Sequence, residues 1–218
     1  MSKDTKEGTT AASEAFYKLK KDLIGGKFPS GEKITITTLK DTYDVGLSPL
    51  REALSRLAAH GLLEQINQRG FRVPEVSLCQ LKDITKLRIE IEEMALQRSF
   101  DQADIHWEAN LIAVYHKLKS LDRDSLYMSE LWEDIHVQFH KSLLSSCSSP
   151  WLIKFVDQLH DQFDRYRRFA PVDEGVRKKL NEHHEQLLNM ALERDISSAL
   201  LLNKEHIMLS YRTIRRVF

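Results

Sequence analysis

The chain has 218 residues, enough for one large domain or two modest ones, and 42% of them are hydrophobic, the level of an ordinary globular protein. Its 32 Lys+Arg balance its 32 Asp+Glu, so no bulk basicity announces a polyanionic partner. No apolar run approaches the roughly 18–20 residues that span a bilayer, which excludes a membrane helix.

The start, Met1-Ser2-Lys3-Asp4-Thr5-Lys6-Glu7, is charged and leads into no apolar signal core. Cys79 and Cys147 show no metal-type spacing and read as small buried apolar residues in a reducing, cytoplasmic setting. Residues 1–10 are polar and read as a disordered tail. From Ala12 to Ile24, Ala15, Phe16, Leu19, Leu23 and Ile24 recur at helical spacing, and the turn-rich run Gly25-Gly26-Lys27-Phe28-Pro29-Ser30-Gly31 ends that helix. A short stretch, Lys33-Ile34-Thr35-Ile36, follows. Thr37 or Thr38 can cap a helix running to about Tyr43. After the turn Val45-Gly46-Leu47, Ser48 can cap a second helix, with Pro49 in its first position and Gly61 as its stop. Leu62-Leu63-Glu64-Gln65-Ile66 and Gly70-Phe71-Arg72-Val73 read as two strands joined by a hairpin. Helix, helix, turn, helix and a two-stranded wing make the plan of a winged helix-turn-helix over residues 11–76. Pro74-Glu75-Val76-Ser77 is the candidate linker. Beyond it only helical patterns occur, near 78–101, 105–120, 124–146, 150–169, 173–194 and 196–217, so residues 77–218 should form an antiparallel helical bundle. The fold class is therefore mainly α. Residues 1–77 carry 12 Lys+Arg against 10 Asp+Glu, and the rest 20 against 22. The asymmetry has the sign of an N-terminal nucleic-acid reader but is small.

A recognition helix buries one face and offers polar or cationic groups to the major groove on the other. In the second helix Leu50, Ala53, Leu54 and Leu57 form the apolar stripe, while Arg51 and Ser55 share a different face. Ser48 and Arg51 stand near the N-terminal end, where backbone N–H groups also favour phosphate. At the hairpin tip, Arg69 and Gly70, with Arg72 beside them, could approach a minor groove or a phosphate. The bland alternatives are a solvated amphipathic helix and an ordinary surface hairpin.

Gly26-Lys27-Phe28-Pro29-Ser30-Gly31-Glu32-Lys33-Ile34, Ser48-Pro49-Leu50-Arg51-Glu52-Ala53-Leu54, Leu57-Ala58-Ala59-His60-Gly61-Leu62-Leu63 and Gly70-Phe71-Arg72-Val73 occur in one order. Together they resemble the GntR family of bacterial regulators over about residues 14–76. The resemblance implies a homodimer on pseudo-palindromic operator double-stranded DNA. It gives Arg51 the role of the base- or phosphate-contacting arginine and Gly70 that of the wing glycine, and it places Thr38 and Lys40 against the backbone. Many members carry Ser-Arg where this chain has Gly46-Leu47, so one arginine contact is absent and the operator should differ accordingly.

Among the nine histidines, His136 and His140 are i, i+4 and share a helix face, a spacing that can chelate one metal ion. Asp195 reads as the N-cap of the last helix. His184 and His206 each lie eleven residues from it on opposite sides. In an antiparallel hairpin both then sit about 16 Å from the turn, at the same height. Four imidazoles can converge if the helix of His136 packs beside this hairpin. His183 should point elsewhere, and His106, His116 and His160 have no partner spacing.

This half resembles the FCD ligand-binding domain of FadR-type GntR regulators, through Arg88-Ile89-Glu90-Ile91-Glu92, Phe139-His140, Glu182-His183-His184, Asp195 and His206. The resemblance implies a divalent metal held by one Asp and three His, and a small carboxylate effector. Here His136 stands at the Asp position. An all-histidine set favours zinc or nickel over manganese and leaves one more positive charge to attract an anion. Arg88 could clamp a carboxylate bidentately, with Arg165 a second candidate. The alternative for either is a salt bridge to a neighbour such as Glu92. The combined expectation is a ligand-responsive transcriptional regulator acting as a repressor, the family's commoner mode. The competing expectations are a metal-dependent hydrolase using the same histidines, and a regulator whose metal is purely structural. No general-base or nucleophile motif supports the hydrolase.

Overall fold

The computed structural model describes residues 10–66, 70–123 and 129–218. Nine α-helices and one three-stranded sheet occur among them, the mainly helical architecture anticipated. Contacts divide the chain into two compact units, Met1–Leu81 with His160–Phe169, and Lys82–Leu159 with Ala170–Phe218. None of the described helices is long and apolar enough to cross a membrane. Of the tail expected at residues 1–10, only Thr10 lies within the described residues.

The first unit opens with α1 (Ala11–Ile24), capped by the Thr10 hydroxyl, which accepts from the Ser13 N–H. It continues through β1 (Lys33–Ile34), α2 (Ile36–Tyr43), α3 (Leu47–Ala59), β2 (Glu64–Ile66) and β3 (Gly70–Arg72). Phe16, Leu19 and Leu23 of α1 pack with Leu50, Leu54 and Leu57 of α3, and Leu62 and Phe71 complete this core. Two helix starts differ from the sequence reading. The cap of α2 is Thr35, whose hydroxyl accepts from the Thr38 N–H, rather than Thr37 or Thr38. Helix α3 starts one residue earlier than Ser48, with Gly46 as an N-cap that offers no side-chain bond. Pro49 then falls third in the helix, where it has no N–H to be capped, and proline is tolerated in a first turn. Gly61, at φ +71°, stops the helix as expected.

The sheet order is β1-β3-β2, all antiparallel, with Ile34 and Gln65 both opposite Phe71. The stretch Lys33-Ile34 is thus an edge strand, paired with residues 71 and 72, far away in sequence, which no local pattern announces. Gly70 sits at φ +106°, and a Cβ there would lie 2.8 Å from the Ile34 carbonyl oxygen. Only glycine lets β1 and β3 approach this closely.

The first unit also takes the end of a later helix. Helix α4 is Leu78–Asp101 and α7 is Pro150–Arg167, and each contributes residues to both units. From α7, Asp161 pairs with Lys20 at 2.6 Å, Gln162 donates to the His60 carbonyl at 3.2 Å, and Tyr166 is buried with its hydroxyl on Gln80 at 3.2 Å. Residues 160–169 therefore depart from the simple division at residue 77.

The second unit holds the remainder of α4 and α7 with α5 (Ile105–Arg123), α6 (Glu130–Leu143), α8 (Glu174–Leu192) and α9 (Ile196–Ile214), followed by a 3-10 turn, Arg215–Val217. Leu96, Leu111, Leu118, Phe139, Leu187 and Ala191 are its buried centre. Helix α6 starts at Glu130 on a Ser129 cap, later than the start near 124 suggested by periodicity. Asp195 caps α9 as anticipated, accepting from the Ser198 N–H at 3.1 Å. Cys147 is buried, but Cys79 is exposed, against the sequence expectation.

Candidate metal centre and nucleic-acid interface

On α6, Trp132, His136 and His140 follow one another at i, i+4 and i+8, so one face of the helix carries an indole and two imidazoles. The short Asp195 turn sets α8 and α9 side by side and brings the His184 and His206 rings to 4.7 Å between centroids. The ring centroids of His140 and His184 are 5.2 Å apart, and those of His140 and His206 5.1 Å. One ring nitrogen from each of His136, His140, His184 and His206 lies within 4.8 Å of all the others. The structure thus gathers the four histidines singled out from the sequence.

The donor set fits a divalent ion. All four rings are buried, and the Nε2 atoms of His136 and His140 are 3.2 Å apart. Two nitrogens bound to one tetrahedral zinc lie about 3.3 Å apart, given Zn–N near 2.0 Å. His206 Nδ1 is buried and has no hydrogen-bond partner among the described residues. Desolvation holds His206 well below the ordinary histidine pKa, and the neighbouring His184, His140, Arg88 and His183 push the same way. The neutral ring with a free lone pair is the form that binds metal. His183 is also buried, 5.9 Å from His206 between centroids, but is not one of the four.

Arg88 on α4 is buried and donates through Nε to Glu92 Oε1 at 2.5 Å. The other Glu92 oxygen accepts from Asn203 Nδ2 at 3.1 Å, one turn before His206 on α9. The salt bridge weighed for Arg88 therefore exists, and its guanidinium also stands near enough to act electrostatically on His206. Arg165 is placed differently. It belongs to the first unit, buried, with one NH group on the Pro74 carbonyl at 2.8 Å and another on Gln162 at 3.1 Å. Its guanidinium is thus committed to a carbonyl near the candidate linker.

A cleft of about 420 Å³ opens between α5 and α8, with His184 in its wall. Lys119, Asp122, Arg177, Asn181 and Glu185 also line it. Asp122 accepts from the Trp132 indole N–H at 2.6 Å, and the indole stacks on His136 with centroids 4.6 Å apart and planes 14° apart. Burial raises the Asp122 pKa, against the lowering effects of Trp132, Arg177 and Asn181. Sequence reasoning missed Asp122, Trp132 and Asn203. Their pairings join separate helices, and only the i, i+4 relation of Trp132 to His136 was visible locally.

In the first unit Ser48, Arg51 and Ser55 of α3 are exposed, as are Thr38 and Lys40 of α2. Leu47, at the start of α3, is half exposed. Gly70 and Arg72 are partly buried, and Arg72 Nε has no hydrogen-bond partner among the described residues. Arg69, assigned to the wing tip, lies outside the described residues.

Residues 11–73 match the model of the bacterial regulatory proteins of the gntR family, and residues 83–208 match that of the FCD domain. A regulator from Paraburkholderia xenovorans, the uncharacterized HTH-type transcriptional regulator BphR, is 35% identical over 92% of this chain and 84% of its own length. The HTH-type transcriptional repressor GlaR of Escherichia coli is 31% identical over 92% of this chain and 94% of its own. The solved structure of E. coli McbR/YncC shares the fold, with a TM-score of 0.78 at 21% identity over 96% of this chain and 99% of that one. These relatives are transcriptional regulators and not enzymes, which removes the hydrolase alternative. An exposed arginine on a helix-turn-helix, a glycine-closed wing and a helical domain with gathered histidines agree with those matches: the chain is a transcriptional regulator of the GntR family, with a DNA-binding domain followed by an FCD domain.

Proposed function

We propose that this regulator is a homodimeric repressor that releases a pseudo-palindromic operator when a small carboxylate binds at a divalent metal centre in the helical domain. The observation that carries the reading is the convergence of four buried imidazole nitrogens from three helices within 4.8 Å of one another. Four buried rings without a cation between them would leave polar atoms such as His206 Nδ1 unsatisfied, a cost of about 1–3 kcal/mol each. His136, His140, His184 and His206 would hold the ion, and its borderline imidazole set favours zinc or nickel. Bound there, the ion supplies a Lewis-acid contact for a carboxylate. His184, shared with the α5/α8 cleft, gives that carboxylate a way in. Arg88, kept in place by Glu92, adds a fixed positive charge on the α4 side.

At the DNA end, Arg51 reads a base edge or a phosphate, while Ser48, Ser55, Thr38 and Lys40 fix the register on the backbone. Arg69, Gly70 and Arg72 supply the wing contact. Leu47 replaces a polar contact with an apolar one suited to a thymine methyl. Repression is supported by the similarity to GlaR, a transcriptional repressor. Pairing of two chains through the helical domains would set the spacing of two recognition helices, and ligand binding would disturb that spacing.

Elemental analysis of full-length protein purified without chelator tests the centre. About one zinc or nickel per chain is expected in the wild type, and almost none in His206→Ala. Wild-type protein that binds no divalent ion at micromolar concentrations would end the metal reading.

A further inference from the structure

We propose that Trp132 is a positioning residue that ties the ring of His136 to the wall of the α5/α8 cleft through Asp122, so that the state of the cleft wall sets the metal affinity of the histidine centre. The inference rests on the metal reading above and extends it to residues that bind no metal themselves.

Three contacts carry it. The Trp132 indole lies almost parallel to the His136 ring, 14° between planes and 4.6 Å between centroids. Its N–H donates to Asp122 Oδ1 at 2.6 Å, on the last turn of α5. Asp122 lines the cleft together with Asn181 and Arg177, which act on its carboxyl. The indole itself is only 2% exposed, so its orientation is fixed by these neighbours and not by solvent.

The chemistry gives each contact a consequence. An imidazole can rotate about its Cβ–Cγ bond, and metal binding requires one orientation. A parallel ring against its face restricts that rotation. Metal coordination makes the imidazole electron-poor, and an electron-rich indole face then attracts it more strongly. A carboxylate accepting the indole N–H enriches that face further. Moving the Asp122 carboxylate, for instance by drawing Arg177 or Asn181 toward a bound anion, would loosen the indole and with it the His136 ring. The connection runs from the cleft to the centre without passing through His184.

Zinc affinity measured by competition with a chelating dye tests this on the full-length protein. Asp122 is partly exposed and touches no candidate metal ligand in the contacts described, so Asp122→Leu should leave the fold intact, as a thermal melt would verify. Asp122→Leu should weaken zinc binding by about tenfold or more, the usual size of an outer-shell effect. Asp122→Asn, which keeps an oxygen for the indole, should stay within about threefold of wild type. Trp132→Phe keeps a stacked ring but loses the N–H, and it should also weaken binding. The double variant Asp122→Leu/Trp132→Phe should be no weaker than the weaker single, because both break one connection. Wild-type affinity in Asp122→Leu, or factors that multiply in the double variant, would overturn the proposal while leaving the metal centre standing. A wild type that binds no zinc would remove both readings together.

Discussion

Arg51 stands exposed one turn into α3, four positions from Ser55 and on a different face from the buried Leu50, Leu54 and Leu57. A long cation held by a rigid helix can reach a guanine edge or a phosphate with little entropy to lose. Arg51→Ala should therefore weaken operator binding by about 1–3 kcal/mol, or about 5- to 150-fold. A base contact would relax preference at one operator position, whereas a phosphate contact would lower affinity evenly and reduce the salt slope by about one. Titration of the operator and of single-base variants at several salt concentrations separates the two, and unchanged affinity in Arg51→Ala would remove the residue from the interface. The gathering of the four candidate histidines was legible at this scale: His136 and His140 share a face by helical spacing, and His184 and His206 lie at equal distance from Asp195. The burial of Arg165 and its bond to the Pro74 carbonyl leave no trace in the sequence around it. Asn203 escaped because its partner Glu92 lies 111 positions away.

The elements were legible where a local rule governs and blurred where tertiary contact does. Gly61 stops α3 and Asp195 caps α9 as their chemistry demands. The start of α2 moved to Thr35, since three threonines within four residues can each cap and only packing of Ile36 and Leu39 selects one. Nothing local tells that the end of α7 joins the first unit through Asp161, Gln162 and Tyr166. The Asp195 turn lends itself to a direct measurement. The Ser198 side-chain and backbone hydrogen bonds hold the Asp195 carboxyl below the usual carboxylate range. A group whose folded pKa is depressed contributes stability above its unfolded value, near 3.9, and loses it as pH falls through the folded value. Asp195→Ala should therefore lower the melting temperature at pH 7, and the deficit should narrow as pH is taken down through the carboxylate range. Asp195→Asn, an equally good cap without the charge, should melt close to wild type at pH 7 and above it as pH is taken down, because only the wild type loses stability there. A deficit independent of pH in Asp195→Ala would mean that the cap does not act through its charge. Because this turn fixes the relative height of His184 and His206, the alanine variant should lose metal affinity along with stability.

For the whole molecule, zero net charge leaves no general field to draw the protein to DNA. If Arg51, Lys40 and Arg72 are the DNA contacts proposed, affinity rests on a few placed cations. If a carboxylate at the histidine centre releases the operator, the two ligands share one coupling free energy, typically 1–3 kcal/mol. Linkage then requires reciprocity: a carboxylate that lowers operator affinity 50-fold must itself bind 50-fold more weakly to the protein–operator complex. The measurement is a pair of calorimetric titrations of one active carboxylate, into the free protein and into the protein saturated with operator duplex, with zinc and salt held constant. The same pair repeated on Asp122→Leu shows whether coupling fails with the centre or apart from it. A carboxylate that releases the operator yet binds equally well with and without it would have to act by competition from elsewhere, such as chelating zinc away. The control for that is direct, since added zinc restores operator binding under chelation and leaves a true effector's action unchanged.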